Sequence, residues 1–398
     1  MKNLEKIRLD FPILNQKVND DPLIYFDSAA TAQMPWVVID AISEYYSDYK
    51  SNVDRGLYSF AEKTTSRYEQ SRKTIAQFIG AGSSELVFTS GTTDSINMVA
   101  HIWAAHQLQA GDEIIISQVE HHSNFLPWQQ LAQKKQLILT IIPIDESGLL
   151  DMKTYYAALS EKTKLVSIVH TSNILGTTND LGLIVVAAHQ VGAKVLVDAA
   201  QSVAHQKIDV VDLDCDFLAF SGHKLYGPTG VGCLFIKKSV QSECRPHKFG
   251  GSMVYSADYN ESFWKNAPYC FEAGTPPIAQ AIGLSAAVEY LNESIDFNEI
   301  AQYDQKLVAR AATGLKALGY HVISSLTSGS MVTFYDETIH GHDIAMYLDS
   351  HGIAVRAGNH CVQPYHEKLK IDSTVRVSFA FYNTMAEVER FLEVMASL

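Results

Sequence analysis

Between about residue 84 and residue 236, short apolar, β-branched runs alternate with stretches whose apolar positions recur every three or four residues. The first kind predicts strands at Glu85–Thr89, Glu113–Ser117, Leu137–Ile142, Lys164–His170, Lys194–Val197, Asp216–Phe220 and Gly232–Ile236. The second predicts helices at Asp94–Leu108, Asn124–Gln133, Lys153–Leu159 and Leu183–Val191. Strand–helix alternation of this kind builds βαβ units, so the expected core is an α/β domain with a mainly parallel seven-stranded sheet covered by helices. After residue 277 the pattern changes to helices at Ile278–Leu291 and Phe297–Leu318 and strands at His321–Ser325, Met331–Tyr335 and Thr374–Phe379, with helices at His342–Ser350 and Ala386–Met395. We therefore expect a large domain over 18–292 and a smaller α+β domain over 293–398, completed by an N-terminal arm, 1–17.

Composition narrows the classes. The chain has 398 residues, 47% of them hydrophobic and 19% charged, as in a globular protein. Its 31 basic and 44 acidic residues leave a net charge of -13, which argues against nucleic acid as a main ligand. No stretch approaches the ~18 uninterrupted apolar residues of a membrane helix, and the first residues lack a signal-peptide core. The five cysteines (Cys215, Cys233, Cys244, Cys270 and Cys361) are scattered, without a Cys-x-x-Cys pair, which fits free thiols in a reducing compartment. The cytoplasm is the expected location.

Three strand ends carry polar motifs, at the place where open α/β sheets bind ligands. Ser90-Gly91-Thr92-Thr93 joins a strand to a helix, and free N–H groups with two hydroxyls there suit a phosphate; an ordinary capped turn has the same residues. Asp198 follows a strand and is placed either to keep a ring nitrogen protonated or to cap the next helix. Ser221-Gly222-His223-Lys224 follows another strand. A lysine among small residues at a sheet edge is a candidate Schiff-base amine, although most lysines are solvated charges. Gly227–Gly232 is neither a P-loop nor a dinucleotide fingerprint. A phosphate cradle, a ring-nitrogen acid and an amine together form the complement that pyridoxal phosphate needs.

With Asp27-Ser-Ala-Ala, Glu120-His-His-Ser-Asn, Ser172-Asn-Ile-Leu-Gly, Asp198-Ala-Ala-Gln, Phe271-Glu-Ala-Gly-Thr and Arg356-Ala-Gly-Asn-His-Cys added in this order, the chain resembles the class V aminotransferase superfamily over nearly its whole length. Within it the resemblance is to cysteine desulfurases of the Suf type. It implies that Lys224 holds pyridoxal phosphate, that His121 stacks on its ring, that Asp198 pairs with the ring nitrogen and that Gln201 donates to the ring oxygen. Thr92, Thr93, Ser221 and His223 are implied phosphate ligands, and Thr275 a residue that reaches the phosphate of a neighbouring subunit, hence a homodimer. Asn173 and Arg376 are implied to hold the substrate, L-cysteine, with Arg356 beside them. The implied product is alanine, with sulfur left on Cys361 and passed to a sulfur-acceptor protein of the Suf system for iron–sulfur cluster assembly.

Cys361 sits in a Gly-rich polar segment, where Arg356 and His360 are expected to favour its thiolate; a lone cysteine is otherwise an inert core residue. Asn359 departs from the resemblance, because a second histidine is often found there; Asn hydrogen-bonds but does not titrate. His340, His342, His351, His360 and His366 lack regular ligand spacing, and no metal is expected. A selenocysteine lyase or cysteine sulfinate desulfinase would carry the same residues. An inactive sulfur-transfer scaffold is the non-enzymatic alternative.

Overall fold

The computed structural model describes residues 4–326 and 329–398, so residues 1–3 of the expected arm lie outside the described residues. Seven strands form one sheet in the order Leu86–Thr89, Gly232–Ile236, Phe217–Ser221, Lys194–Asp198, Thr163–Val169, Glu113–Ser117 and Ile138–Ile142. Only Gly232–Ile236 runs antiparallel to its neighbours. Inner strands such as Glu113–Ser117 and Phe217–Ser221 are buried at every position, which explains their unbroken apolar runs. The edge strand Ile138–Ile142 is half solvated, with Ile138 and Ile141 exposed.

The smaller domain holds a four-stranded antiparallel sheet in the order His321–Val322, Met331–Tyr335, Thr374–Ser378 and Arg356–Gly358, covered by the helices Phe297–Ala317, Gly341–Asp349 and Met385–Met395. The expected domain boundary shifts here. Ile24–Tyr25 pairs with Ile353–Ala354, and Ile24 and Phe26 pack in the smaller domain's core, so the segment adding a strand lies past residue 17. The arm bridges both units: Phe11 packs against Tyr226 and Tyr290 as well as Phe381 and Tyr382, while Arg8 pairs with Glu387 at 2.9 Å.

The sequence pattern missed two long helices, Trp36–Asp48 and Ser59–Phe78, and a hairpin of Val254–Ala257 with Ser262–Trp264. The helix Ser59–Phe78 anchors the sheet's edge through a buried ion pair. Arg72 Nη1 and Nη2 donate to Glu272 at 2.6 and 2.8 Å, and Phe88 N–H donates to the same carboxylate at 2.7 Å. Removing one partner of such a pair strands a buried charge. Glu272→Ala is therefore expected to lower stability by about 3–5 kcal/mol, read as a shifted denaturant midpoint of the apoprotein.

Candidate active site

The helix Thr92–Val99 begins two residues earlier than its pattern predicted, which makes Thr92 and Thr93 its first residues. Thr92 N–H donates to Ser221 Oγ at 2.8 Å, and the two hydroxyls lie 2.7 Å apart. Two glycines permit this approach. Gly91 has φ +154°, and a Cβ on Gly232 would stand 2.4 Å from the Gly91 Cα. The small cradle is therefore closed on one side by backbone and lined by hydroxyl and N–H donors, as a phosphate requires.

Beside it opens a cavity of about 700 Å³ between the sheet's C-terminal ends and the smaller domain. Every expected site residue except Thr275 lines it: Thr92, Thr93, His121, Asn173, Asp198, Gln201, Ser221, His223, Lys224, Arg356, Cys361 and Arg376. Thr275 is exposed and lines a second cavity with Ser90, Asp94 and Lys248.

Asp198 ends its strand, and Lys224 follows the neighbouring strand by three residues. Burial pushes the Asp198 carboxyl up, and its Oδ1 accepts from Ala200 N at 2.9 Å. Burial pushes Lys224 down to about 8, with the Asp198 carboxylate pulling the other way. Lys224 Nζ makes no hydrogen bond or ion pair among the described residues, so the amine is free to react. His121 caps the helix His122–Lys135, its Nδ1 accepting from Ser123 N at 3.1 Å. Burial first, and then Lys224, hold it neutral with a pKa of about 3, so the proton sits on Nε2. His223 is likewise held neutral, at about 4, mainly by burial. Gln201 Nε2 donates to Ala29 O at 2.8 Å, which fixes its amide in the cavity wall with its other N–H to spare.

On the opposite wall, Asn173 Nδ2 donates to His360 O at 2.8 Å, while Asn173 Oδ1 and Arg376 Nε are buried without a partner. Orphaned polar atoms at a cavity mark a place where a ligand completes the hydrogen bonding. Cys361 is the only exposed cysteine among the five. It interacts electrostatically with Lys224, Arg356 and Arg376. The expected help from His360 is corrected: burial pushes that imidazole far down, so it is neutral and lends no charge. Its Nε2 instead holds Thr374 Oγ1 at 2.9 Å, within the loop's core. Asn359 has a defined place, since its Oδ1 accepts from Cys361 N at 3.3 Å. His366 shares Thr374 with His360, His351 packs on Tyr347, and His340 and His342 stand at the cavity rim.

Residues 24–391 match the aminotransferase class-V family. The chain belongs to that family. A probable cysteine desulfurase of Halalkalibacterium halodurans is 46% identical over 389 residues, 97% of this chain and 96% of that protein. Among solved structures, the apo cysteine desulfurase of Thermococcus onnurineus NA1 is 40% identical with a TM-score of 0.95, covering 100% of this chain and 98% of that one. The cysteine desulfurase CsdA of Escherichia coli is 36% identical with a TM-score of 0.93 over the same shares. The α/β fold and its mostly parallel sheet are those of these structures.

Family members of this kind work with pyridoxal phosphate, and the chain is a pyridoxal-phosphate enzyme. The residues present fit that group: a hydroxyl-lined cradle, a buried carboxylate, a neutral imidazole and an unpartnered lysine face one cavity. Two residues that carry weight here had no role assigned from sequence. Glu120 lies fully inside, accepting from Ser117 Oγ, Asn124 Nδ2 and Val169 N, and burial pushes it up to about 7. Asp27 pairs with both cavity arginines. Each stands in a motif of the resemblance, which was the one signal available.

The lowered pKa of Lys224 has a testable sign. The neutral amine is the nucleophile, and its fraction stops growing above its pKa. Uptake of pyridoxal phosphate by the apoprotein, followed by visible absorbance, is expected to accelerate up to about pH 8 and then level off. An ordinary lysine would keep accelerating toward about pH 10.4. Lys224→Ala is expected to abolish the absorbance band of a Schiff base between the protein and the cofactor, without the cofactor's own absorbance disappearing.

Proposed function

We propose that the chain is a cysteine desulfurase that converts L-cysteine to L-alanine and leaves the sulfur as a persulfide on Cys361. The observation that carries this reading is the exposed Cys361 thiol at the wall of the same cavity that Lys224 lines. The named relatives at 36–46% identity support it.

Pyridoxal phosphate, when bound, supplies an electron sink for charge left at the substrate Cα. Lys224 would anchor it, Asp198 would face its ring nitrogen, Gln201 its ring oxygen and His121 its ring face. Thr92, Thr93, Ser221 and His223 would hold the phosphate. Around that group the side chains divide the work. Arg356, Arg376 and Asn173 bind the substrate carboxylate, for which a guanidinium fork is the matching donor. Lys224, neutral near pH 8, accepts the Cα proton and returns a proton to the departing product. His121, with its proton on Nε2, offers a donor and no charge. Cys361 attacks the substrate sulfur as a thiolate. The new S–S bond forms as the S–Cβ bond breaks, and the electron pair stays with the three-carbon fragment, which takes up protons and leaves as alanine. The sum is L-cysteine plus a thiol giving L-alanine plus a persulfide, with no oxidant or reductant.

We further propose a homodimer in which Thr275 reaches the phosphate of the other copy. Its support is that Thr275 is exposed and lies outside the cavity that Lys224 lines, and that its neighbour Gly274 donates to Gly251 O at 2.9 Å, just before a hairpin with exposed Tyr255, Tyr259, Phe263 and Trp264. The sulfur acceptor would be a small carrier protein of the Suf kind serving iron–sulfur cluster assembly in the cytoplasm. The four remaining free cysteines suit a reducing location.

Cys361→Ser tests the central step. Alanine formation from L-cysteine is expected to fall by on the order of a thousandfold or more, as when a nucleophile is removed, with cofactor absorbance unchanged. Selenocysteine turnover should largely survive, because selenium leaves without a thiolate's attack. Undiminished cysteine turnover would overturn the role of Cys361.

A further inference from the structure

Arg356 and Arg376 lie directly opposite each other on neighbouring antiparallel strands, and both line the cavity. Like charges in that relation repel. One carboxylate holds the pair together. Asp27 accepts from Arg356 Nε at 3.1 Å and Nη2 at 2.7 Å, and from Arg376 Nη2 at 3.4 Å. Arg376 Nη1 is tied in turn to Asn173 O at 2.9 Å. Asp27 does not line the cavity, whereas Ala29 and Ala30 just after it do. Its side chain is 13% exposed, against 49% for Arg356. The carboxylate therefore grips the arginines from behind and does not stand where a ligand would bind. Among these three groups, two guanidinium charges and one carboxylate leave a net single positive charge. That charge matches one carboxylate, and Arg376 Nε is still without a partner.

We propose that Asp27 is the positioning residue of the carboxylate subsite, setting the orientation of Arg356 and Arg376 and leaving the subsite with one net positive charge. The proposal rests on the reading of these arginines as ligands of the substrate carboxylate. Asp27 touches no reacting atom, so it acts on binding more than on chemistry. Arg356, held side-on through Nε and Nη2, and Arg376, held through Nη2 and Nη1, lose less freedom when a second carboxylate docks, which is the sense in which the subsite is preorganised.

The test uses the holoenzyme with four single variants and one double variant. In Asp27→Asn, the KM for L-cysteine and the inhibition constant of propionate, a bare carboxylate, are each expected to rise about tenfold, with kcat within about twofold. Asp27→Glu is expected to recover part of the loss. Arg356→Lys keeps the charge but not the side-on pairing, so it should raise KM similarly. The Asp27→Asn/Arg356→Lys double variant should rise little further, because both changes break one interaction. Unchanged KM and propionate inhibition in Asp27→Asn, while Arg376→Ala raises both, would overturn the proposal and leave the carboxylate reading intact. Multiplicative effects in the double variant would overturn it as well. If Arg376→Ala leaves both constants unchanged, the carboxylate reading itself falls. Should Asp27→Asn fail to fold, as judged by its cofactor absorbance, Asp27→Glu alone decides by the same two constants: a rise of about twofold or more in both supports the proposal, and no change in either overturns it.

Discussion

Asp198 and Lys224 are opposite charges taken out of water at the ends of adjacent strands, and the polar contacts of the cavity are arranged around them. The sheet forces this arrangement. Strands buried on both faces must be apolar along their length, so polar groups are expelled to the ends. There each ion is drawn toward neutrality by burial and away from it by the other. The outcome is a lysine whose neutral form is within reach near pH 8 and a carboxylate that feels the lysine's charge without touching it. A cofactor that needs an amine on one side and an acid on the other meets both on one floor.

The opposite wall depends on a different constraint, the seam between the domains. Residues 24–27 leave the N-terminal arm, lend a strand to the smaller domain and end in Asp27, which reaches back to two arginines of that domain. Asn173, from the large domain, contacts the backbone of His360 and is met by Arg376. Arg8 and Phe11 fasten the same seam further out. The cavity is thus a joint product of the N-terminal arm, the large domain and the smaller one.

Much of this was legible in the sequence. The seven sheet strands stand out because their apolar runs are unbroken, and Asp198, Ser221 and Lys224 fall just past such runs. The helices Trp36–Asp48 and Ser59–Phe78 did not stand out. The second is polar on most of its surface and buries Arg72, a residue that reads as solvent-facing until Glu272, far along the chain, neutralises it. The π-helical turn at Ala100–Ala104 was likewise hidden inside one continuous helical pattern. His360 was misjudged for a related reason: adjacency to Cys361 implied a charge, whereas burial against Thr374 removes it. Long-range pairing and burial are the quantities that a local pattern does not contain.

The loop that presents Cys361 is short and tightly tethered. His360 and Cys361 are both left-handed, with φ of 49° and 58°, a conformation uncommon for such residues. Cys361 O accepts from His122 N at 2.8 Å, and Val362 N returns to Asn359 O at the same distance. A segment so fixed has no slack to pay out, since each residue spans only about 3.3–3.6 Å even when fully extended. The Cys361 thiol is therefore held by its own backbone at one point of the cavity wall, and a group that is to meet it has to come to it.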